Sequence, residues 1–199
     1  MGSTLKGKDD VTLVAKKDVR IRQSNIGSEK GNVLIGSQQG DIQVEAGREE
    51  EQLASASKSV SRGRFGLSKT TEIDRHEHDI AQSVSSNIDG KTVDLIAGQG
   101  NVTVQGSNVV GENGLTVQAK NIDIKEAENK VYSEDFHSKK KSGVLGGGLG
   151  VTFGAQKQTL ESDKTKFYAQ GSQVGSLNGN TTLIAKNHYT QTASQVSAV

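Results

Sequence analysis

Apolar and polar residues take turns along short runs of this chain, and the runs recur in threes. After Ser107-Asn108-Val109 comes a polar, glycine-containing turn, then Leu115-x-Val117-x-Ala119, then a corner at Lys120-Asn121, then Ile122-x-Ile124. The preceding stretch matches it with Ile88, then Val93, Leu95 and Ala97, then Val102 and Val104. The stretch from Ser24 matches it with Ile26, then Val33 and Ile35, then Ile42 and Val44. A spacing of two buries one face of each run and wets the other, the mark of a half-buried strand. Val, Ile, Thr, Asn and Gly fill these windows, and they are indifferent or poor helix formers. Three short strands and three corners between Ser86 and Ser107, 21 residues apart, predict one coil of a triangular parallel β-helix.

The unit itself repeats. Val93-Asp94-Leu95-Ile96-Ala97 echoes Val11-Thr12-Leu13-Val14-Ala15 at a distance of 82 residues, and Thr181-Thr182-Leu183-Ile184-Ala185 is a fainter copy. Coil starts fall at Ser3, Ser24, Ser86, Ser107, Ser172 and Ser194. One coil orders more backbone than its few aliphatic side chains can offset, so coils must stack. The chain therefore reads as a single β-solenoid over 1–199, with coils at about 3–44, 86–124 and 172–199. The crossover rule for parallel strands makes the winding right-handed. Asn25, Asn87 and Asn108, beside their serines, are expected to form side-chain ladders along the axis and to accept the left-handed backbone of sharp corners.

The coil pairs are separated by inserts at about 45–85 and 125–171. Both open on Glu-Ala, at Glu45-Ala46 and Glu126-Ala127, and both carry a Lys/Ser/Gly-rich centre. In the second, Leu149, Val151 and Phe153 alternate with Gly150 and Thr152, and Gly146-Gly147-Gly148 suits a turn. Each insert is expected to be a long antiparallel β-hairpin leaving the solenoid at a corner and returning to it. Since a lone two-stranded ribbon is marginal in water, the arms must lie on the solenoid, pair with each other or await a partner. The alternative for residues 45–60 is a short helix, because Glu49-Glu50-Glu51-Gln52-Leu53-Ala54 are good helix formers.

Composition narrows the reading. There are 24 glycines, no proline, no cysteine and no tryptophan, and aromatic residues make up 4%. Such a chain fills a narrow aliphatic interior, not a wide core, and the absence of proline suits long strand ladders. Zero cysteine excludes disulfides, thiolate metal sites and thiol catalysis. A net charge of +1 supplies no global field for nucleic acid, and no apolar run is long enough for stable membrane insertion by a helix. Met1-Gly2-Ser3 has the look of a start codon with cloning residues, and the chain is expected to be a piece of a longer protein whose end coils associate end to end.

Candidate chemistry is sparse, and no catalytic residue or cofactor is expected. His76 and His78 would share a strand face, with Asp74 or Asp79 to supply an oxygen, which makes them weak candidates for a metal. The plainer account is a solvated, charged strand that resists edge pairing. His137 and His188 stand isolated in sequence. The acids Glu134-Asp135 and Glu49-Glu50-Glu51 would form a glycosidase pair only if two converged on one cleft. Lys139, Lys140 and Lys141, near Lys130 and Lys157, form a local basic spot suited to an acidic glycan. With the apolar tip Val144, Leu145, Leu149, Val151 and Phe153 they make the candidate partner contact, although a ribbon packing on its own solenoid needs the same residues.

The segments Ser107-Asn108-Val109, Leu115-Thr116-Val117-Gln118-Ala119 and Asn121-Ile122-Asp123-Ile124 resemble the repeats of filamentous haemagglutinin and related two-partner secretion exoproteins, contact-dependent growth inhibition proteins among them. Lys139 to Gly148 and Gly154-Ala155-Gln156-Lys157-Gln158 resemble the second repeat region of that family. The resemblance covers nearly the whole chain. It implies a right-handed β-helical shaft of a large adhesin on a Gram-negative cell surface, or the stalk of a toxin-delivery protein. An outer-membrane transporter would be its export partner, and a glycan or receptor on a host or neighbouring cell its possible target.

Overall fold

The computed structural model describes residues 2–63, 67–145 and 152–198, without the side chains of 144, 145 and 152. Its described residues are strand and turn, and they form two compact units. The first comprises Met1–Glu49, Gln82–Asn129 and Tyr168–Val199; the second comprises Glu50–Ala81 and Lys130–Phe167.

Three parallel ladders build the first unit. One joins β1 (Thr4–Gly7), β4 (Asn25–Ser28), the start of β9 (Asn87–Ala97), the start of β11 (Asn108–Lys125), β14 (Gln173–Ser176) and β16 (Gln195–Ala198). The second joins β2 (Val11–Ala15), β5 (Val33–Ser37), the end of β9, the middle of β11 and the start of β15 (Asn180–Gln191). The third joins β3 (Val19–Arg22), β6 (Ile42–Glu45), β10 (Val102–Gln105), the end of β11 and the end of β15.

Register keeps like residues in line. Leu5, Ile26, Ile88, Val109, Val174 and Val196 stack along the first ladder. Leu13, Ile35, Leu95, Val117 and Leu183 stack along the second, and Val93 lies over Leu115 as the sequence period requires. Val19, Ile42, Val102 and Ile122 stack along the third, which ends on Tyr189. These columns form one aliphatic cluster, in which Val33, Ile35, Ile42, Val44, Leu95 and Val104 are completely buried. The molecule is all-β, with a mostly parallel sheet curled round this interior in the manner of a β-solenoid.

Serine closes the corner between the third ladder and the first. The Ser24 hydroxyl donates to the Arg22 carbonyl (2.7 Å) and the Ser107 hydroxyl to the Gln105 carbonyl (2.9 Å). Where an insert interrupts the corner, the geometry persists: Ser86 donates to Glu45 (2.7 Å) and Ser172 to Lys125 (2.7 Å). Arg22, Glu45, Gln105 and Lys125 hold equivalent positions in the third ladder. The hydroxyls of Ser86, Ser107, Ser172 and Ser194 also accept a neighbouring coil's N–H, from Ser24, Ser86, Ser107 and Ser172 in turn. The expected asparagine ladder runs beside it, Asn108 donating to Asn87 and Asn87 to Asn25, each at 2.8 Å.

Left-handed backbone sits elsewhere than on these asparagines. Within the coils it falls on Gln23, Gly106 and Ala193, each just before a corner serine and each at a corner without an insert. Gly106 has a second reason to lack a side chain, since a Cβ there would come within 2.4 Å of the Ala127 Cβ.

The inserts supply four long strands, β7 (Gly47–Arg62), β8 (Ser68–Val84), β12 (Ala127–Leu145) and β13 (Thr152–Gln170), in one sheet of order β13-β12-β8-β7. Residues 47–62 are therefore strand, and the helix alternative fails. Among the three fates open to the arms, the inserts pair with each other: β8 and β12 run antiparallel from Lys130 opposite Ala81 to Gly143 opposite Ser68. Gly146-Gly147-Gly148, Leu149 and Val151 lie outside the described residues.

Leu115→Ala is expected to lower the unfolding free energy by about 2–5 kcal/mol, read from urea denaturation followed by circular dichroism. Ser107→Ala, which leaves the Ser86 N–H and the Gln105 carbonyl without that partner, is expected to cost about 1–3 kcal/mol in the same assay.

Candidate functional site

The four-stranded sheet carries most of the candidate chemistry. Its strands alternate side chains between two largely wet faces, and apart from Val131 opposite Ile80 the β8–β12 cross-strand partners include a charged or polar side chain at nearly every row. On one face stand His76 and His78 of β8, as their spacing requires, the first exposed and the second half-buried. The His76 Nδ1 lies 2.7 Å from Asp135 of β12, and His78 stands opposite Ser133. Asp74 is engaged by His137 instead, Nδ1 to Oδ1 at 2.5 Å. The His137 Nε2 is 3.6 Å from Glu72, which also takes the Lys139 ammonium at 3.3 Å. Lys139, Glu72, His137 and Asp74 thus make a row of alternating basic and acidic side chains across the β8–β12 pairing. Hydrogen bonding to His137 holds the Asp74 carboxyl below its ordinary value of 3.8.

Strand alternation divides the basic spot. Lys139 and Lys141 lie on the His137 face and, with Gln156 and Gln158 of β13, line a shallow recess. Lys140 stands opposite Thr71, with its side chain directed to the other face. Phe153 is 74% exposed, while the side chains of Val144 and Leu145 and the whole of Leu149 and Val151 fall outside the described residues.

The opposite face carries Arg75 over the Phe136 ring (5.5 Å) and Lys130 near the Phe167 ring (6.0 Å). Tyr132 donates to Glu134 at 2.8 Å, and that bond pushes the phenol up to about 12. Glu134 and Asp135 diverge, as neighbours on a strand must. Glu134 instead approaches Glu161 and Asp163, with carboxylate oxygens of all three within 4.8 Å. Glu161 and Asp163 are exposed and Glu134 is half-buried. His188 lies on β15, opposite Asn121.

The His137–Asp74 and His76–Asp135 pairs had no sequence signal, since their members lie 63 and 59 residues apart. They become visible only once β8 is known to pair with β12.

Stacked parallel coils around an aliphatic column define a solenoid repeat protein. The chain belongs to the hemagglutinin repeat family, whose model matches residues 1–74 and 65–199. It is 36% identical over 75% of its length to a protein named tRNA nuclease CdiA of Yersinia mollaretii, covering 5% of that protein. It is 28% identical over 94% of its length to tRNA nuclease CdiA-2 of Burkholderia pseudomallei, covering 6% of it. A Deoxyribonuclease CdiA of Yersinia pseudotuberculosis is 36% identical over 49% of the chain, covering 9% of that protein. The chain therefore spans less than a tenth of the length of these curated relatives. No solved structure matches it.

Because Asp74 has a depressed carboxyl pKa in the folded sheet, its contribution to stability is complete above 3.8 and is lost as the pH falls through the lower folded value. Thermal unfolding measured at descending pH is expected to show this acid loss, and Asp74→Asn to diminish it.

Proposed function

We propose that this chain is a non-enzymatic structural segment of a large secreted exoprotein, a shaft that projects distal binding or toxin modules from a Gram-negative cell surface. In this reading 1–199 is one right-handed β-helical segment, with hairpin arms at about 45–85 and 125–171. The unbroken column from Ile26 through Ile88 and Val109 to Val174 carries the reading, because a stack of that kind grows by adding coils and needs no reacting groups. The relatives named as nucleases support it too, since their similarity to this chain takes up only 5–6% of their length. Full-length export would then use the outer-membrane transporter of a two-partner system.

A second reading makes the arms a binding module for a glycan or receptor on a host or neighbouring cell. Lys139 and Lys141 beside Gln156 and Gln158, with Phe153 exposed on the same insert, favour it.

The shaft reading expects the purified chain to cleave neither RNA nor DNA and to give no signal on a glycan array. It also expects a parent protein with this segment duplicated in frame to keep distal-module activity. Nuclease turnover by the chain alone, or loss of distal activity on duplication, would sink it. Glycan binding abolished by Lys139→Ala with Lys141→Ala would establish the second reading in its place.

A further inference from the structure

The four-stranded sheet ends on two strands that have no outer neighbour among the described residues. These are β7, 16 residues long, and β13, 19 residues long, each exposed at nearly every described position. Edges of this length recruit another strand unless something blocks them. The chain has no proline with which to do so.

The molecule contains its own template for what such an edge accepts. At the centre of the sheet the trailing strand of the first insert, β8, pairs antiparallel with the leading strand of the second, β12. β13 is the trailing strand of the second insert and β7 the leading strand of the first. We propose that the β13 edge of one copy of this chain pairs antiparallel with the β7 edge of a second copy, continuing the sheet by the rule that already joins its two halves.

The register can be transferred. Glu45-Ala46 aligns with Glu126-Ala127 at the leading strands, and each trailing strand is placed by its own hairpin partner, Asp74 by Ser57 and Gln156 and Gln158 by Lys139 and Lys141. On the face that carries Lys139, Lys141, Gln156 and Gln158, β13 presents Lys164 and Lys166, and β7, whose Ser57 bonds Asp74, presents Glu49 and Glu51. Carrying over the β8–β12 pairing with faces kept sets Lys166 against Glu49 and Lys164 against Glu51. The acidic run of β7 thus meets the two lysines of β13. The same complementarity occurs inside the sheet, where Lys139 meets Glu72 and His137 meets Asp74. Since the two edges differ, the contact is heterologous and leaves a free β7 and a free β13 at the ends of every assembly, so growth is open.

The experiment follows mass against concentration by light scattering and sedimentation for the whole chain and two variants, K164E/K166E and E49K/E51K. Circular dichroism confirms that each variant is folded. The wild-type chain is expected to associate without a fixed stoichiometry and to weaken as salt is raised. Each variant alone places like charges across the contact and is expected to associate at least about tenfold more weakly. Mixed in equal amounts, the two variants present acid to base at both contacts, and association should return. A wild-type chain that stays monomeric to millimolar concentration overturns the proposal. So does association that either variant leaves intact, as stacking of solenoid ends would, or a mixture that fails to recover it.

Discussion

No coil of this chain can stand by itself, and that constraint shapes the first unit. A coil offers a few aliphatic side chains against the ordering of about twenty residues, so its interior positions must be covered by the coils before and after. Coverage works only if the register is exact to the residue, because a slip of one turns every strand inside out. The corners supply that precision. Hydroxyl and amide side chains repeated at one place in each coil bond along the axis, from Asn108 to Asn87 to Asn25 and through the serine series beside them. Aliphatic stacking provides the driving force, and the polar ladders choose the register in which it acts.

The sheet built from the inserts solves a different problem. With both faces largely wet, it has no buried column to fix its register, and cross-strand pairs take that part. Row on row, His76 meets Asp135, His137 meets Asp74 and Lys139 meets Glu72. Such pairs are individually weak on exposed strands, and their sum depends on protonation and salt in a way that an aliphatic column does not. The two units are accordingly expected to answer solution conditions differently, the first being governed by burial and the second by charge.

Sequence made the first unit legible because its signal is local and repeated: Val93, Leu95 and Ala97 alternate within one strand, and the copy at Val11, Leu13 and Ala15 states that the pattern recurs. Two features escaped. Left-handed corners fall on Gln23 and Ala193, residue types that advertise no such conformation, because the neighbouring strands and the corner serine impose it. The charge row of the second unit escaped for a topological reason, since nothing in a single strand says which other strand lies beside it. Lys139-Lys140-Lys141 shows the same limit on a smaller scale. The run is basic in sequence, yet strand alternation sends its middle member to the other face, and Glu72 neutralises its first.

The serine closure separates the coil from whatever the chain does between coils. Ser86 reaches the Glu45 carbonyl across 41 residues and Ser172 reaches Lys125 across 47, with the contact that Ser107 makes to a residue only two positions away. To the solenoid, a detour of forty residues and a direct turn are equivalent. Inserts at this corner can consequently lengthen, shorten or diverge over evolutionary time without disturbing the stack that bears them, leaving one corner of an otherwise conservative architecture open to experiment.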